Sequence, residues 1–278
     1  MKNPGWGPLR QKAAICLTFD NLAEAAEIEA GIWPAEKPLG RHESIVSGLP
    51  WVLEALAERP ATFFVEGWSV ARHPDAVRAI AAAGKEVALH GWRHEAWARV
   101  GGREKELLSR AQSALTELGL RALGFRPPGG PPAPSTFAHL AAEGYEYCSC
   151  LGTSSGAESS LAVLAYQWTN VDAFHLEPHL GGLRTAVGRA AVPATPNAMY
   201  EELRATLASN EEEGGLLVLV WHPYLLINPD QRKTFIDTLQ MLDGQDVWLA
   251  SCAEIARFIK RNAVMASRAP TIDRVGWG

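Results

Sequence analysis

Two histidines stand four residues apart at the end of an apolar run, in the segment VALHGWRHE at residues 87–95. Imidazole nitrogen is a preferred ligand of Zn²⁺, and catalytic zinc sites use about three protein ligands and keep one position for water. The rings of His90 and His94 can face one ion if Gly91 to His94 begins a helical turn. The spacing alone is equally compatible with two surface histidines, one of which caps the next helix.

Other polar or aromatic side chains also stand where predicted strands end. They are Asp20, Asn21, Glu66, Arg126, Trp168 and His222. The carboxyl ends of parallel strands in a (β/α) barrel meet at one mouth, where such folds hold their reacting groups. A single polar residue at a strand end usually only starts a loop, but strand ends that supply Asp20, His90, Arg126 and His222 together predict one shared site.

Apolar runs rich in branched residues alternate with longer amphipathic segments. The runs, which predict strands, cover residues 14–19, 61–65, 86–90, 122–126, 145–150, 162–168, 216–222 and 247–251. The amphipathic segments, which predict helices, cover residues 45–58, 74–83, 104–118, 135–142, 199–210 and 231–242. Strands that alternate with helices indicate an α/β fold with a mostly parallel sheet. About eight strands suit a distorted or incomplete (β/α) barrel.

The sequence has no clear interdomain linker and no internal repeat, so we expect a single domain over residues 1–278. Its core is expected at about 12–262, followed by a tail at 263–278. Long loops are predicted at residues 21–43, 152–160 and 169–196. The first and third follow strands and would lie over the barrel mouth, whereas the second is rich in Gly and Ser and is expected to be mobile.

Composition excludes several classes of partner. The chain is 47% hydrophobic and 21% charged with a net charge of −5, and it has no Lys/Arg cluster, which argues against nucleic acid and anionic membranes as partners. Its apolar runs are much shorter than the roughly 20 residues that span a bilayer. The first 20 residues lack the apolar segment of a secretory signal, so we expect a cytoplasmic protein. Homo-oligomer formation stays open.

Four short motifs follow one another in an order that resembles a known enzyme family. LTFDN (17–21) is similar to the motif TFDD, and the segment that ends in HGWRHE resembles a region that ends in H-[ST]-x-x-H. GFRPPGG (124–130) resembles RPPYG, and VWHPYLL (220–226) is similar to a late Leu-x-His segment. Together they resemble the polysaccharide deacetylases of the NodB-homology type, carbohydrate esterase family 4. The resemblance spans roughly residues 12–260 and implies a distorted (β/α) barrel.

The resemblance also implies catalytic roles. Asp20 would be the general base that activates water, and Arg126 would hold and orient it. His222 would be the general acid that protonates the departing amine. The backbone N–H of Gly129, which replaces the tyrosine of the family motif, would help to bind the oxyanion. These roles imply a hydrolase that removes an acyl group from nitrogen.

A divalent metal is part of the same resemblance. His90 and His94 would be ligands of zinc, or alternatively of cobalt or nickel, and Asn21 occupies the place of a third ligand that is normally aspartate. A carboxamide oxygen still binds cations, but it is neutral and should hold them more weakly. The alternatives are therefore a metal-independent amide hydrolase resembling the allantoinase branch, and a non-catalytic ligand-binding barrel.

The expected substrate is small. Gly129 removes a wall that the family's tyrosine would supply, and a cytoplasmic enzyme would not reach an extracellular polymer. We expect an acetylated or formylated amino sugar or another small-molecule amide. Trp92, Trp168 and Glu66 are predicted to contact it, because aromatic faces stack on sugar rings and these residues stand near the predicted mouth.

Overall fold

The computed structural model describes residues 5–276, which form a mostly parallel sheet covered by helices. The strands are β1 (Ala13–Asp20), β2 (Thr62–Val65), β3 (Glu86–Leu89), β4 (Gly124–Phe125), β5 (Tyr147–Ser154), β6 (Gly156–Glu158), β7 (Leu161–Tyr166), β8 (Leu216–Trp221), β9 (Val247–Leu249) and β10 (Thr271–Ile272). The helices are α1 (Ala25–Glu29), α2 (Leu49–Leu56), α3 (Gly67–Arg72), α4 (Pro74–Ala82), α5 (Glu104–Glu117), α6 (Thr136–Ala142), α7 (Asp172–Leu176), α8 (Gly181–Ala186), α9 (Pro196–Glu213), α10 (Pro229–Asp243), α11 (Cys252–Arg261) and α12 (Ala263–Ala266).

The sheet curves into an incomplete barrel. Its strands follow the order β6-β7-β5-β4-β3-β2-β1-β8, with β9 added beside β1 and β10 beside β5. The neighbours from β7 to β8 are parallel, whereas β6 and β10 pair antiparallel. Over residues 5–276 no ladder joins β7 to β8, and a single bridge links Val171, shortly after β7, to Val220. The predicted distorted or incomplete (β/α) barrel is confirmed.

Side-chain alternation along β1 explains how the fold aims Asp20 inward. All eight residues of β1 are buried. Ile15, Leu17 and Phe19 pack with the helices in one hydrophobic cluster, and the ring centroids of Phe19 and Phe63 lie 4.6 Å apart. The alternate residues Ala14 and Cys16 belong to the cluster inside the barrel. Because side chains alternate with a period of two, Asp20 continues this interior series.

The segment 152–160 differs from its prediction. It was expected to be a mobile loop, but β5 continues to Ser154 and β6 then folds antiparallel onto β7. The glycines allow another part of the chain to approach closely. A Cβ on Gly152 would lie 2.2 Å from the Thr271 carbonyl oxygen, and one on Gly156 would lie 2.1 Å from that of Arg268. The tail thus fixes this segment through β10.

The remaining elements agree with the sequence. Each of the predicted strands and helices has a counterpart, and the capping box of Ser251 and Glu254 opens α11. The loops at 21–43 and 169–196 contain α1, α7 and α8. Between residues 5 and 276, no helix is long and apolar enough to cross a membrane.

Candidate active site

Several of the predicted residues at the strand ends line one cavity of about 520 Å³. Asp20 ends β1, and His90 and His222 directly follow β3 and β8. Two residues before them stand the buried residues Thr18, Ala88 and Val220. Because side chains alternate in direction along a strand, Asp20, His90 and His222 point to the same interior side. Asp20, Asn21, His90, His94 and His222 line the cavity. These five side chains therefore lie together at the carboxyl ends of the strands.

Arg126 lies behind Asp20 and fixes it. Its Nη1 donates to Asp20 Oδ1 at 2.6 Å and to Thr18 Oγ1 at 2.9 Å, while Nη2 donates to Ser149 Oγ at 2.9 Å. The guanidinium is 0% exposed and lies 4.0 Å from the centroid of the Phe64 ring. These contacts hold Oδ1 and leave Asp20 Oδ2 on the side of His90, 3.9 Å from its Nε2.

A turn brings the two histidines of VALHGWRHE together. The ring centroids of His90 and His94 are 4.9 Å apart, and the ring planes are inclined by 69°. This turn is not helical, because Gly91 and His94 both have positive φ, 72° and 69°. The Glu95 carboxylate instead accepts the N–H groups of Trp92 and Arg93 and holds a compact non-helical turn.

Both histidines are held neutral. Burial lowers the pKa of His90 to about 3, and the positive charges of Arg126 and His222 act in the same direction. Burial also lowers the pKa of His94 to about 3, with a further contribution from His90. His90 Nδ1–H donates to the Arg126 carbonyl oxygen at 2.9 Å, so its Nε2 lone pair faces Asp20. A ligating histidine commonly has this arrangement, with its other nitrogen donating to a carbonyl.

Asn21 supplies a third candidate donor for a cation. It has a positive φ of 58°, and within the described residues its buried Oδ1 makes no hydrogen bond. Because buried polar atoms almost always have a hydrogen-bond partner, this oxygen is a candidate ligand for a cation. The described part of the chain has no metal-ligating group of three or more His, Cys, Asp or Glu. Two neutral imidazoles and one orphaned carboxamide oxygen nevertheless fit a divalent cation chemically.

His222 is oriented by a residue that the sequence did not reveal. Asp172 accepts the backbone N–H of His222 with Oδ2 at 2.8 Å and its Nδ1–H with Oδ1 at 2.5 Å. Burial opposes the charge on His222, but the Asp172 carboxylate outweighs it and raises the pKa of the imidazole. The ring therefore keeps its proton to a higher pH than an ordinary imidazole does. Asp172 stands six positions after the end of β7, and the bridge of Val171 to Val220 brings the chain beside His222 at this point.

The residues predicted to contact substrate divide into two groups. Gly129 and Trp168 line the cavity, and Trp168 Nε1 donates to the Val275 carbonyl oxygen at 2.9 Å. Glu66 and Trp92 lie outside the lining, which corrects their assignment. Glu66 is fully buried and accepts hydrogen bonds from the Leu22 N–H and the Ser69 hydroxyl, and burial raises its pKa to about 8.

Trp92 is turned away from the cavity by a separate contact. Its ring lies 3.8 Å from the guanidinium carbon of Arg110 on helix α5. Two histidines of the loop at 169–196 differ in their placement. His175 is buried with its Nε2 on the Thr169 carbonyl oxygen, whereas His179 lines the cavity beside Glu177.

The open barrel, with a polar cavity at the carboxyl ends of its strands, has the fold of the NodB-type deacetylases. The sequence profile described as polysaccharide deacetylase matches residues 10–148, half of the chain. This protein therefore belongs to the polysaccharide deacetylase family. The matched half contains Asp20, His90, His94 and Arg126, whereas Asp172 and His222 follow it.

Solved structures extend the similarity over nearly the whole chain. A Mycobacterium smegmatis protein assigned to the polysaccharide deacetylases is 29% identical with a TM-score of 0.82, covering 98% of this chain and 97% of that one. PuuE allantoinase is 20% identical with a TM-score of 0.75, and a Pseudomonas aeruginosa PAO1 protein assigned to the same deacetylases is 21% identical with a TM-score of 0.74. Each of these two covers 94% of both chains, and at such identity they show the fold alone. No curated protein matches this sequence.

Proposed function

We propose that this protein hydrolyses the amide bond of an N-acetylated or N-formylated amino sugar or other small-molecule amide. One observation carries the proposal: a carboxylate backed by a buried arginine and an imidazole backed by a buried carboxylate open into the same cavity. Amide hydrolysis needs this pair, because the carbonyl carbon must gain an activated water while the departing nitrogen gains a proton. A cytoplasmic location and a small substrate remain predictions.

Asp20 acts as the general base in this proposal. Its Oδ2 takes a proton from water as the water oxygen attacks the carbonyl carbon. Arg126 supports this role because it holds Oδ1 at 2.6 Å and supplies a fixed positive charge behind the carboxylate. The carboxylate is therefore already oriented in the folded protein before the substrate binds.

His222 acts as the general acid. Its Nδ1 is held by Asp172, so Nε2 is the nitrogen that gives its proton to the departing amine. The raised pKa of His222 supports this role, because the acid must be protonated before the carbon–nitrogen bond breaks. The acyl group is released as a carboxylic acid, and the nitrogen portion is released as an amine. Each proton transfer of this kind contributes about 10²–10⁴-fold to the rate.

A divalent cation, zinc first and cobalt or nickel as alternatives, belongs to the same proposal. His90, His94 and Asn21 would hold it. When bound, such an ion supplies Lewis acidity to the amide carbonyl oxygen. In the same proposal, the backbone N–H of Gly129 helps to bind this oxygen. Gly129 lines the cavity, has a φ of 81° and has no side chain to block the approach.

His90→Ala is expected to abolish the tight binding of one Zn²⁺ per chain, because it removes an imidazole donor whose lone pair is fixed by a hydrogen bond. Zinc titration followed by calorimetry measures this without reference to activity. His139→Ala is the matched control, because His139 lies on α6 and does not line the cavity. A His90→Ala protein that binds zinc as the unmodified protein does contradicts the ligand assignment.

Asn21→Asp is expected to lower the Kd for Zn²⁺ about tenfold or more, because a carboxylate adds a negative charge beside the cation. The positive φ of 58° suits Asp nearly as well as Asn, so the substitution changes charge with little change in backbone. Calorimetric titration at equal pH provides the measurement. An unchanged Kd would show that position 21 is not a ligand.

A metal-independent hydrolase is the second candidate. The neutral Asn21 favours it, because a carboxamide in the place of the third ligand attracts a cation less than a carboxylate does. A non-catalytic ligand-binding barrel is the third.

Release of acetate, formate or ammonia from a panel of N-acetyl, N-formyl and cyclic amides separates these candidates. Turnover that stops with a chelator and returns with zinc supports the first. Turnover that is indifferent to the chelator supports the second. A protein that releases none of these products under either condition contradicts the proposal of an amide hydrolase.

A further inference from the structure

The side of the cavity next to His222 carries two acidic side chains, each within 3.4 Å of a histidine. Glu27 and Glu177 line it together with Asp20, and among the described lining residues none is Lys or Arg. The side chains of Glu27 and Glu177 are 39% and 19% exposed to solvent, so a ligand can reach both. Two buried arginines are both engaged: Arg126 by the Asp20 carboxylate, and Arg184 by backbone carbonyl oxygens that include that of Glu177.

Tyr224 places these two carboxylates beside the general acid. Its ring centroid lies 5.5 Å from that of His222, in an edge-on arrangement, and 6.4 Å from that of His42. The Tyr224 hydroxyl hydrogen-bonds to Glu177. His42 Nε2 lies 3.4 Å from Glu27 Oε1. One aromatic ring therefore has His222 at one edge, Glu177 at its hydroxyl, and the pair of Glu27 with His42 nearby.

The direction of the reaction assigns this region to one part of the substrate. If His222 protonates the departing nitrogen, the amine portion of the substrate must extend past His222. It then reaches Tyr224 and the carboxylates of Glu27 and Glu177. The acyl portion lies instead toward Asp20 and Gly129. This step rests on the proposed function, because it uses the general acid to orient the substrate.

We propose that the substrate is a mono-N-acylated diamine or polyamine, an amide whose amine portion carries a second, protonated nitrogen. An ammonium group near Glu27 and Glu177 gains attraction from both carboxylates, and the faces of Tyr224 and Trp168 also favour a cation. A carboxylate or phosphate at the same place would meet like charges, and the described lining offers it no Lys or Arg. The cavity of about 520 Å³ is of a size that binds small molecules.

Three acetamides of equal length test this inference. They are N-acetylputrescine, which ends in an ammonium group, N-pentylacetamide, which ends in a methyl group, and N-acetyl-δ-aminovalerate, which ends in a carboxylate. We expect kcat/KM to be about tenfold higher for the ammonium compound than for the methyl compound, and lower again for the carboxylate compound. Equal values, or a preference for the carboxylate compound, would overturn the inference while leaving the proposed function intact.

Two variants trace the preference to the named residues. In Glu177→Gln and Glu27→Gln, the ratio of kcat/KM for the ammonium compound to that for the methyl compound is expected to fall severalfold toward one. The ratio removes any effect that both substrates share. Glu36→Gln is the control, because Glu36 lies in the same loop as Glu27 but is exposed and does not line the cavity. A ratio that survives in both cavity variants contradicts the assignment.

Calorimetric binding of the same three compounds separates the two proposals if none is hydrolysed. Lack of turnover together with a preference for the ammonium compound that Glu177→Gln reduces would contradict the hydrolase and support the cation site. Lack of both turnover and preference would contradict both.

Discussion

Asp20→Asn is expected to lower kcat for amide hydrolysis by about 10²–10⁴-fold, because an amide cannot accept the proton of the attacking water. The shape of the side chain is preserved, and Oδ1 can still accept from Arg126 Nη1. Acetate release under saturating substrate measures the effect. Asp75→Asn is a control at an almost fully exposed carboxylate, with 97% of its side chain accessible. Turnover within a few-fold of the unmodified protein would exclude Asp20 as the base.

The same substitution should also destabilise the fold. Arg126 is fully buried and Asp20 is its one ion-pair partner among the described residues. Loss of one partner of a buried pair costs about 3–5 kcal/mol of unfolding free energy, because the remaining charge is uncompensated. The double variant Asp20→Asn, Arg126→Met is expected to recover much of this stability but none of the activity. Recovery of both would show that the loss of activity is a consequence of unfolding.

Asp172→Asn is expected to have the second large effect, a fall in kcat of about 10²–10⁴-fold. The carboxylate holds His222 by both its backbone N–H and Nδ1–H, and it stabilises the imidazolium. An amide offers one oxygen and no charge, so either the ring orientation or its protonated form is lost. Kinetics with one N-acetyl substrate at a fixed pH gives the magnitude.

The pH dependence of kcat/KM makes this prediction specific. His222 must be protonated to act as an acid, so activity should fall as pH rises through its raised pKa. Asp172→Asn removes the main favourable charge and leaves the opposing effect of burial, which lowers the pKa. The falling limb should therefore move to lower pH. A limb that stays in place would mean that another group controls it.

The strand ends were predictable because the period of two is a property of the backbone. Once β1, β3 and β8 are recognised as buried parallel strands, the polar residue that continues the interior face must point into the mouth. Asp20, His90 and His222 follow this rule. Glu66 does not, because the chain enters α3 at once and its carboxylate bonds to Leu22 and Ser69.

The contact of Asp172 with His222 could not be predicted from the sequence. Its position depends on how the chain returns after β7, and the contact of Val171 with Val220 across the open edge of the barrel has no local signal. The turn that joins His90 to His94 was likewise unpredictable in its shape. It depends on two positive φ angles and on the Glu95 carboxylate rather than on helical spacing. The Gly/Ser segment 152–160 gave a misleading signal, because its small residues accommodate a neighbouring strand.

Hydrolysis of an ester and an amide with the same acyl group tests the central claim most directly. An aryl ester such as p-nitrophenyl acetate has a leaving group that needs no proton, whereas an alkyl acetamide cannot depart without one. In His222→Ala, amide hydrolysis should fall by about 10²-fold or more while ester hydrolysis changes by less than about tenfold. Asp20→Asn should impair both reactions. If His222→Ala reduces ester and amide hydrolysis equally, or if Asp20→Asn leaves both intact, this division of roles between base and acid is contradicted.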